Sequence, residues 1–136
     1  MKKIYLFLIF TLLFLGVVSC VAVCLLVDKV DMKFAKKAEV YFQYDNVDVS
    51  QSLNNDELDL LKGIFDGKML FHENFSCGFS ETISIKFNGA QTFCIARDTC
   101  PIVYWKEKNK YIRLSEDEKL RLYHLLEQYG FFFPCV

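Results

Sequence analysis

The sequence lacks the residue spacings by which common catalytic and metal sites are recognised. No C-x-x-C or H-x-x-x-H pair can supply two zinc ligands from one turn, and no G-x-S-x-G elbow presents a serine nucleophile. A zinc site built from Cys94, Cys100, Cys135 and His124 would draw every ligand from unpaired positions. A thioredoxin-type redox site needs C-x-x-C at a helix N-terminus, and none exists. We therefore expect no enzyme, no metal and no cofactor.

Linkers and repeats are also missing. The chain has two prolines and six glycines, with no Gly/Ser-rich or Pro-rich tract and no internal repeat. From Asp28 onward there are 109 residues, the usual size of one domain. They hold all 17 acidic and 14 of the 16 basic residues, a formal charge of −3, and the scattered basic residues form no nucleic-acid footprint.

The N-terminus is a long apolar run behind two lysines. Residues 4–27 form 24 uncharged positions after Lys2 and Lys3. A helix of that length exceeds the roughly 30 Å hydrocarbon core of a bilayer, so it predicts a single-pass membrane anchor. The leading lysines favour a cytoplasmic N-terminus and an extracytoplasmic C-terminal domain, although Lys29 and three more lysines up to Lys37 weaken the bias.

Two alternatives to the anchor stay open. Val17-Val18-Ser19-Cys20 resembles a bacterial lipobox, which would make Cys20 the lipid-bearing first residue of a lipid-anchored protein. Against it, the chain remains apolar through Val27. The segment could also be a cleaved signal of a secreted protein, although its apolar region is longer than the usual 7 to 15 or so residues. The predicted organisation is an anchor or signal segment over 1–27, a stalk over 28–37 and one disulfide-containing domain over 38–136.

The coarse secondary structure follows from periodicity and turn residues. Residues 39–44 alternate as a strand, and a short helix with Leu58, Leu61 and Phe65 on one face ends before Gly67. Asn88-Gly89 predicts a tight hairpin turn, and residues 102–114 predict a second hairpin. Ser115 and Glu118 form a capping box for a last helix reaching Tyr129.

This order predicts an α+β domain. Its antiparallel sheet would consist of two hairpins in meander plus an N-terminal strand, covered by two helices and preceded by the N-terminal transmembrane or signal helix.

The cysteines carry the most specific prediction. With a two-residue Asn88-Gly89 loop, Phe87 faces Ala90, and the same register places Cys77 directly opposite Cys100. Alternation then puts one set of side chains on the buried face: Phe79, Ile83, Ile85, Phe87, Ala90, Cys94 and Ala96. A bridge from Cys94 to Cys135 would pin the apolar chain end beneath the sheet. We expect disulfides 77–100 and 94–135, although four cysteines allow three connectivities and a one-residue slip would break the first pairing.

One surface feature favours binding. Tyr104, Trp105 and Tyr111 flank the charged turn 106–110, where aromatics either pack as cross-strand pairs or mark a contact patch. The expected function is a membrane-anchored, export-facing interaction or structural module without catalytic activity, with the bilayer and an unidentified protein as partners. The alternative is an inhibitor or immunity-type protein acting on an enzyme or toxin at the cell surface.

Overall fold

The structure is a computed structural model, and it describes residue 5 and residues 9–18 and 28–133. Residues 9–18 are helical. Within the described ranges, no helix is both long and apolar enough to cross a membrane. Much of the predicted anchor, including Cys20 and all of residues 19–27, lies outside the described residues. So does Cys135.

The described domain is α+β, as the sequence predicts. Seven antiparallel strands of this part of the chain form one sheet in the order β2-β1-β4-β5-β6-β7-β3. They are β1 (Ala38–Tyr44), β2 (Val47–Ser52), β3 (Leu70–Phe71), β4 (Phe79–Phe87), β5 (Gln91–Ala96), β6 (Ile102–Trp105) and β7 (Lys110–Arg113). The helices are α1 (Asn55–Phe65) and α2 (Glu116–Glu127), and a short 3₁₀ turn spans Met32–Phe34.

Both helices begin at capping boxes. The Asn54 side chain accepts from the backbone N–H of Glu57, whose carboxylate accepts from the Asn54 N–H in return. Ser115 and Glu118 make the same reciprocal pair at α2, which confirms that predicted helix start. Gly67 and Gly130 adopt positive φ just beyond the helix ends, a conformation that glycine adopts without a Cβ penalty.

The hydrophobic core lies between one face of the sheet and the two helices, and we call this side the helix face. Strands contribute Val40, Ile85, Phe93 and their neighbours, and α1 and α2 contribute buried leucines and Phe65. The apolar chain end packs here too, with the Phe131 ring 5.0 Å from that of Phe42. The opposite side of the sheet is called the back face below.

The sheet is larger than the sequence analysis predicts, because β2 was missed. Val47–Ser52 pairs with β1 along its whole length after a turn in which Asp45 takes positive φ. Its sequence, VDVSQS, is polar and largely exposed, so it has only a weak apolar alternation. Leu70–Phe71 also contributes, as the short edge strand β3 paired with β7.

The predicted register of the β4–β5 hairpin is wrong by one residue near the turn. Phe87 pairs with Gln91 rather than Ala90, so Ile85 faces Phe93 and Ser84 faces Cys94. A one-residue slip exchanges the two faces of a strand. The observed register buries Phe93 and Ile95 against the helices in place of the smaller Cys94 and Ala96, and so removes more apolar area from water.

A second irregularity follows farther from the turn. The register shifts between Phe79 and Ser84, so that Phe79 pairs with Ala96. Phe79 consequently contacts Tyr104 and Tyr111 on the back face. It therefore does not join Ile83 on the helix face, as the sequence analysis expects.

Residues 28–37 are packed into the domain and do not stand away from it as a stalk would. Val30, Met32 and Ala35 are each at most 3% exposed. Backbone hydrogen bonds join Val30 to Lys68 and to Gly67, and Lys29 bridges to Met69. The segment alternates buried and exposed side chains, which is why a charged stretch can still cover part of the core.

Candidate functional site

Two cysteines meet at the open end of the β4–β5 hairpin, away from its turn. Cys77 lies two residues before β4, and Cys100 lies in the turn between β5 and β6. Their sulfurs and a carboxylate oxygen of Asp98 all lie within 4.8 Å of one another. Neither cysteine belongs to a strand, so loops bring them together and not the ladder pairing that the sequence analysis assumes. In this structure both are thiols.

The turn that carries Cys100 is held from several sides. Thr99 adopts φ +57°, a left-handed conformation that is uncommon for a β-branched residue. The Cys100 N–H donates to the Asp98 carboxylate at 3.3 Å, and the Tyr123 hydroxyl donates to the Cys100 carbonyl at 3.5 Å. The turn is therefore tied both to itself and to α2.

The surroundings of Cys77 disfavour the thiolate form of its side chain. Burial, with the neighbouring Cys100 and the Asp98 charge, raises the pKa of Cys77 to about 12. Among the described residues, Cys77, Asp98 and Cys100 are the group that could hold a metal ion, with two sulfur ligands and one oxygen ligand. A soft metal requires deprotonated sulfur, so this environment works against that use of the cluster.

Cys94 lies on β5 at the back face, where it pairs with Ser84 on one side and Tyr104 on the other. It is 2% exposed but is not part of the core beneath the helices. Burial, together with the charges of Glu81 and Glu107, raises the pKa of its thiol to about 11. Its predicted bridge to Cys135 lies outside the described residues and stays a prediction, as does lipidation at Cys20.

The three aromatics of the predicted contact patch do not share one surface. Trp105 is on the helix face and 4% exposed, stacked on Phe34, and its indole N–H donates to Gln91 at 2.8 Å. Tyr104 and Tyr111 are half-buried on the back face with ring centroids 5.0 Å apart. Adjacent strand residues point to opposite faces, which separates Trp105 from its neighbour.

The back-face tyrosines belong to an aromatic cluster that the sequence analysis did not assemble. Phe75, in the segment between β3 and β4, packs its ring 5.0 Å from Tyr111. The Arg113 guanidinium lies 5.7 Å from the centre of the Phe75 ring. Phe79 completes the cluster of Phe75, Phe79, Tyr104 and Tyr111.

The two edges of the sheet differ. At β3, the neighbouring chain is covered: the Leu70 N–H donates to the Asp28 carbonyl at 2.9 Å, and Val30 binds Lys68. At the other end, β2 is exposed along nearly its whole length and pairs only with β1 in the described part of the chain. Natural edge strands are commonly protected by charged side chains, especially lysine, by proline or by a bulge. β2 contains no lysine or proline, and Asp48 is its only charged residue.

The groove between the helices is lined by ionisable side chains of both helices. Glu57, Arg121 and His124 are among its lining residues. The Glu57 carboxylate already accepts from the Asn54 N–H at 2.8 Å and from the Tyr129 hydroxyl at 2.7 Å. One of these bonds caps α1, and the other joins the start of α1 to the chain just beyond α2.

Comparisons of the chain with protein-family models, with curated proteins and with solved structures find no match in any of the three.

Proposed function

We propose that this protein is a non-catalytic interaction module, held at the cell membrane by residues 4–27, that binds an extended segment of a partner protein along β2. The observation that carries the proposal is the exposed β2 edge on an otherwise closed sheet. A partner strand added there would form backbone hydrogen bonds of the kind that give β-augmentation its affinity.

The position of the N-terminal segment supports the presentation of this edge. Residues 28–30 run beside β3, at the opposite end of the sheet from β2. Six strand-to-strand spacings of about 4.8 Å place β2 roughly 29 Å from that end. A chain that leaves the bilayer next to β3 would hold its open edge away from the membrane and accessible to a partner.

Charge indicates the chemistry of the partner segment. The stretch from Ala38 to Ser52 contains Glu39, Asp45 and Asp48 and no lysine or arginine. Asp45 and Asp48 are both exposed. An extended segment carrying a lysine or arginine would therefore complement this edge and gain in association rate and specificity.

Photo-crosslinking tests the edge. A benzophenone amino acid at Gln51, in the full chain within cells that express it from its own gene, is expected to give one discrete adduct. Val47→Lys adds a charge to the exposed edge and should abolish the adduct without lowering stability. The matched control is Leu120→Lys, an exposed apolar residue on α2, which should leave the adduct intact. Equal crosslinking in both lysine variants would refute the edge as the contact.

The same adduct separates the two functional classes. An enzyme or toxin that loses activity on binding would support the alternative of an inhibitor or immunity-type protein.

Protease added outside intact cells should digest the domain. Cys20→Ser should not change membrane retention, whereas release would favour a lipid anchor over a helix.

A further inference from the structure

We propose that Cys77 and Cys100 are joined by a disulfide that clamps the base of the β4–β5 hairpin together with the segment crossing the aromatic cluster of the back face. This disulfide rests on the proposed function in one respect, because a location outside the cytoplasm provides oxidising conditions. It does not depend on binding at β2.

The backbone around the two cysteines is already in position for a bond. Phe79 pairs with Ala96, and the Arg97 N–H donates to the Gly78 carbonyl at 3.4 Å. Gly78, next to Cys77, is thus held beside Arg97, which lies three residues before Cys100. The two sulfurs lie within 4.8 Å, so side-chain rotation can bring them to bonding distance while the strands stay in place.

The β4–β5 pairing is irregular near the two cysteines. Between Phe79 and Ser84 the β4–β5 register shifts, so this stretch of β4 is not paired residue by residue with β5. Arg97 partly fills the gap, because its guanidinium donates to Thr82 at 3.0 Å. A covalent link just outside this irregular stretch would stop the hairpin from opening from its free end.

The link would also hold the chain that leads into β4. Residues 72–78 contain no helix or strand. Their contact with the sheet includes the Phe75 ring, which packs on Tyr111 and under Arg113. Cys77 lies two residues after Phe75, so a bond to Cys100 keeps that ring over the back face.

The chemistry favours a lasting bond over a reactive switch. Both thiols are oxidised: two electrons and two protons pass to a disulfide-bearing oxidant, such as an oxidoreductase or oxidised glutathione, which is reduced to two thiols. Exchange proceeds through a thiolate, and burial together with the neighbouring Cys100 and Asp98 raises the pKa of Cys77 and disfavours its thiolate. Formation should therefore depend on an exchange catalyst or an alkaline redox buffer, and the closed pair should resist reduction.

Thiol mapping of the full chain is the direct test. Exported protein is alkylated before any reduction, then digested and mapped without reductant. We expect a crosslinked 77–100 peptide, and we expect the same peptide after refolding in an alkaline glutathione redox buffer without cells. Alkylation of both thiols in both samples would overturn the proposal. So would bonding of either to another cysteine, or protection of both by zinc that a chelator releases. A 77–100 bond found only in the sample refolded in glutathione would overturn the proposed export and would still support the disulfide.

Variants test the mechanical role. Cys77→Ser, Cys100→Ser and the double variant should show the same several-fold faster chymotrypsin cleavage after Phe75, because one bond is lost in each case. Reductant under mildly destabilising conditions should bring the unsubstituted protein to that rate and leave the double variant unchanged. Cys94→Ala is the matched control and should keep the slow rate and the response to reductant. If the cleavage rate of the double variant equalled the product of the two single effects, the two side chains would contribute independently and no bond would exist. An unsubstituted protein whose cleavage rate did not respond to reductant would lead to the same conclusion.

Discussion

Two polar side chains, those of Glu118 and Asn88, each form hydrogen bonds to more than one part of the chain. Glu118 accepts from the Ser115 N–H at 2.8 Å and from the Lys68 ammonium at 2.6 Å, so one carboxylate both caps α2 and ties it to the chain before β3. Asn88 works similarly, since its amide oxygen accepts from the Lys36 N–H and its amide nitrogen donates to the Phe34 carbonyl. Asn88, which lies in the turn of the β4–β5 hairpin, therefore also holds the N-terminal segment in place.

Glu118 gives the domain a predictable dependence on pH. Burial alone would raise the pKa of Glu118, but hydrogen bonds from Lys68 and Ser115 outweigh it and leave that pKa below its ordinary value of 4.5. The folded state then binds this proton less tightly than the unfolded state. The stabilisation is present above about pH 4.5 and is lost as pH falls through the folded pKa.

The test substitution is Glu118→Gln, which keeps the capping geometry and removes the charge. At pH 7 it should lower the free energy of unfolding by about 1 kcal/mol, and this difference from the unsubstituted protein should shrink as the pH falls through the folded pKa of Glu118. Urea titrations across this pH range measure the difference. A gap that persisted at the acidic end would assign the effect to packing and not to charge.

At the scale of elements, the β4–β5 hairpin decides which residues are core. Asn88 and Gly89 both adopt positive φ, as the predicted tight turn requires. The ladder nevertheless resumes at Phe87 and Gln91, so Ala90 becomes an extra turn residue. That single residue transfers Phe93 and Ile95 to the helix face and Cys94 to the back face.

A pair of neighbouring substitutions checks this register. Phe93 contacts Phe65, Phe87 and Trp105 in the core, so Phe93→Ala should cost about 3 to 5 kcal/mol of stability. Cys94→Ala, compared under reducing conditions so that a bridge to Cys135 plays no part, removes one sulfur from the back face and should cost about 1 kcal/mol. Chemical denaturation measures both. The reverse ranking would support the register in which Phe87 faces Ala90.

At the scale of the whole molecule, the N-terminal segment of residues 28–37 contributes to the core. Met32 is 2% exposed, and its N–H donates to the Asp66 carboxylate at 2.8 Å. Asp28 forms an ion pair with Lys110, whose hydrogen bond lowers the pKa of Asp28. Residues 28–37 are therefore part of the folded domain in the described chain.

Substitutions within this segment test its role. Met32→Ala in the full chain should lower the free energy of unfolding by about 2 to 4 kcal/mol, since a fully buried side chain is truncated. Lys33→Ala changes the adjacent exposed residue and should stay within about 0.5 kcal/mol. Thermal or urea unfolding in detergent compares them. Equal, small effects would restore residues 28–37 to the role of a detached stalk.

The candidate sites show what sequence reasoning reached and missed. It brought Cys77 and Cys100 together, but by a ladder pairing that the structure replaces with two loops. It grouped Trp105 with Tyr104 and Tyr111 because they are close in sequence, and it missed Phe75 and Phe79. The open edge was missed because VDVSQS is too polar to stand out, although the short turn at Asp45-Asn46 between Tyr44 and Val47 was a usable signal.

The sequence by itself determined the elements with strong local signals: the apolar N-terminal run, the capping box at Ser115, the Asn88-Gly89 turn and the α+β class. These depend on interactions within a few residues, which composition and periodicity record directly. Only the tertiary structure decided the register, the inclusion of residues 28–37 and the face on which each aromatic lies. Those outcomes follow from which arrangement buries the most apolar area across distant segments, a comparison that no local pattern contains.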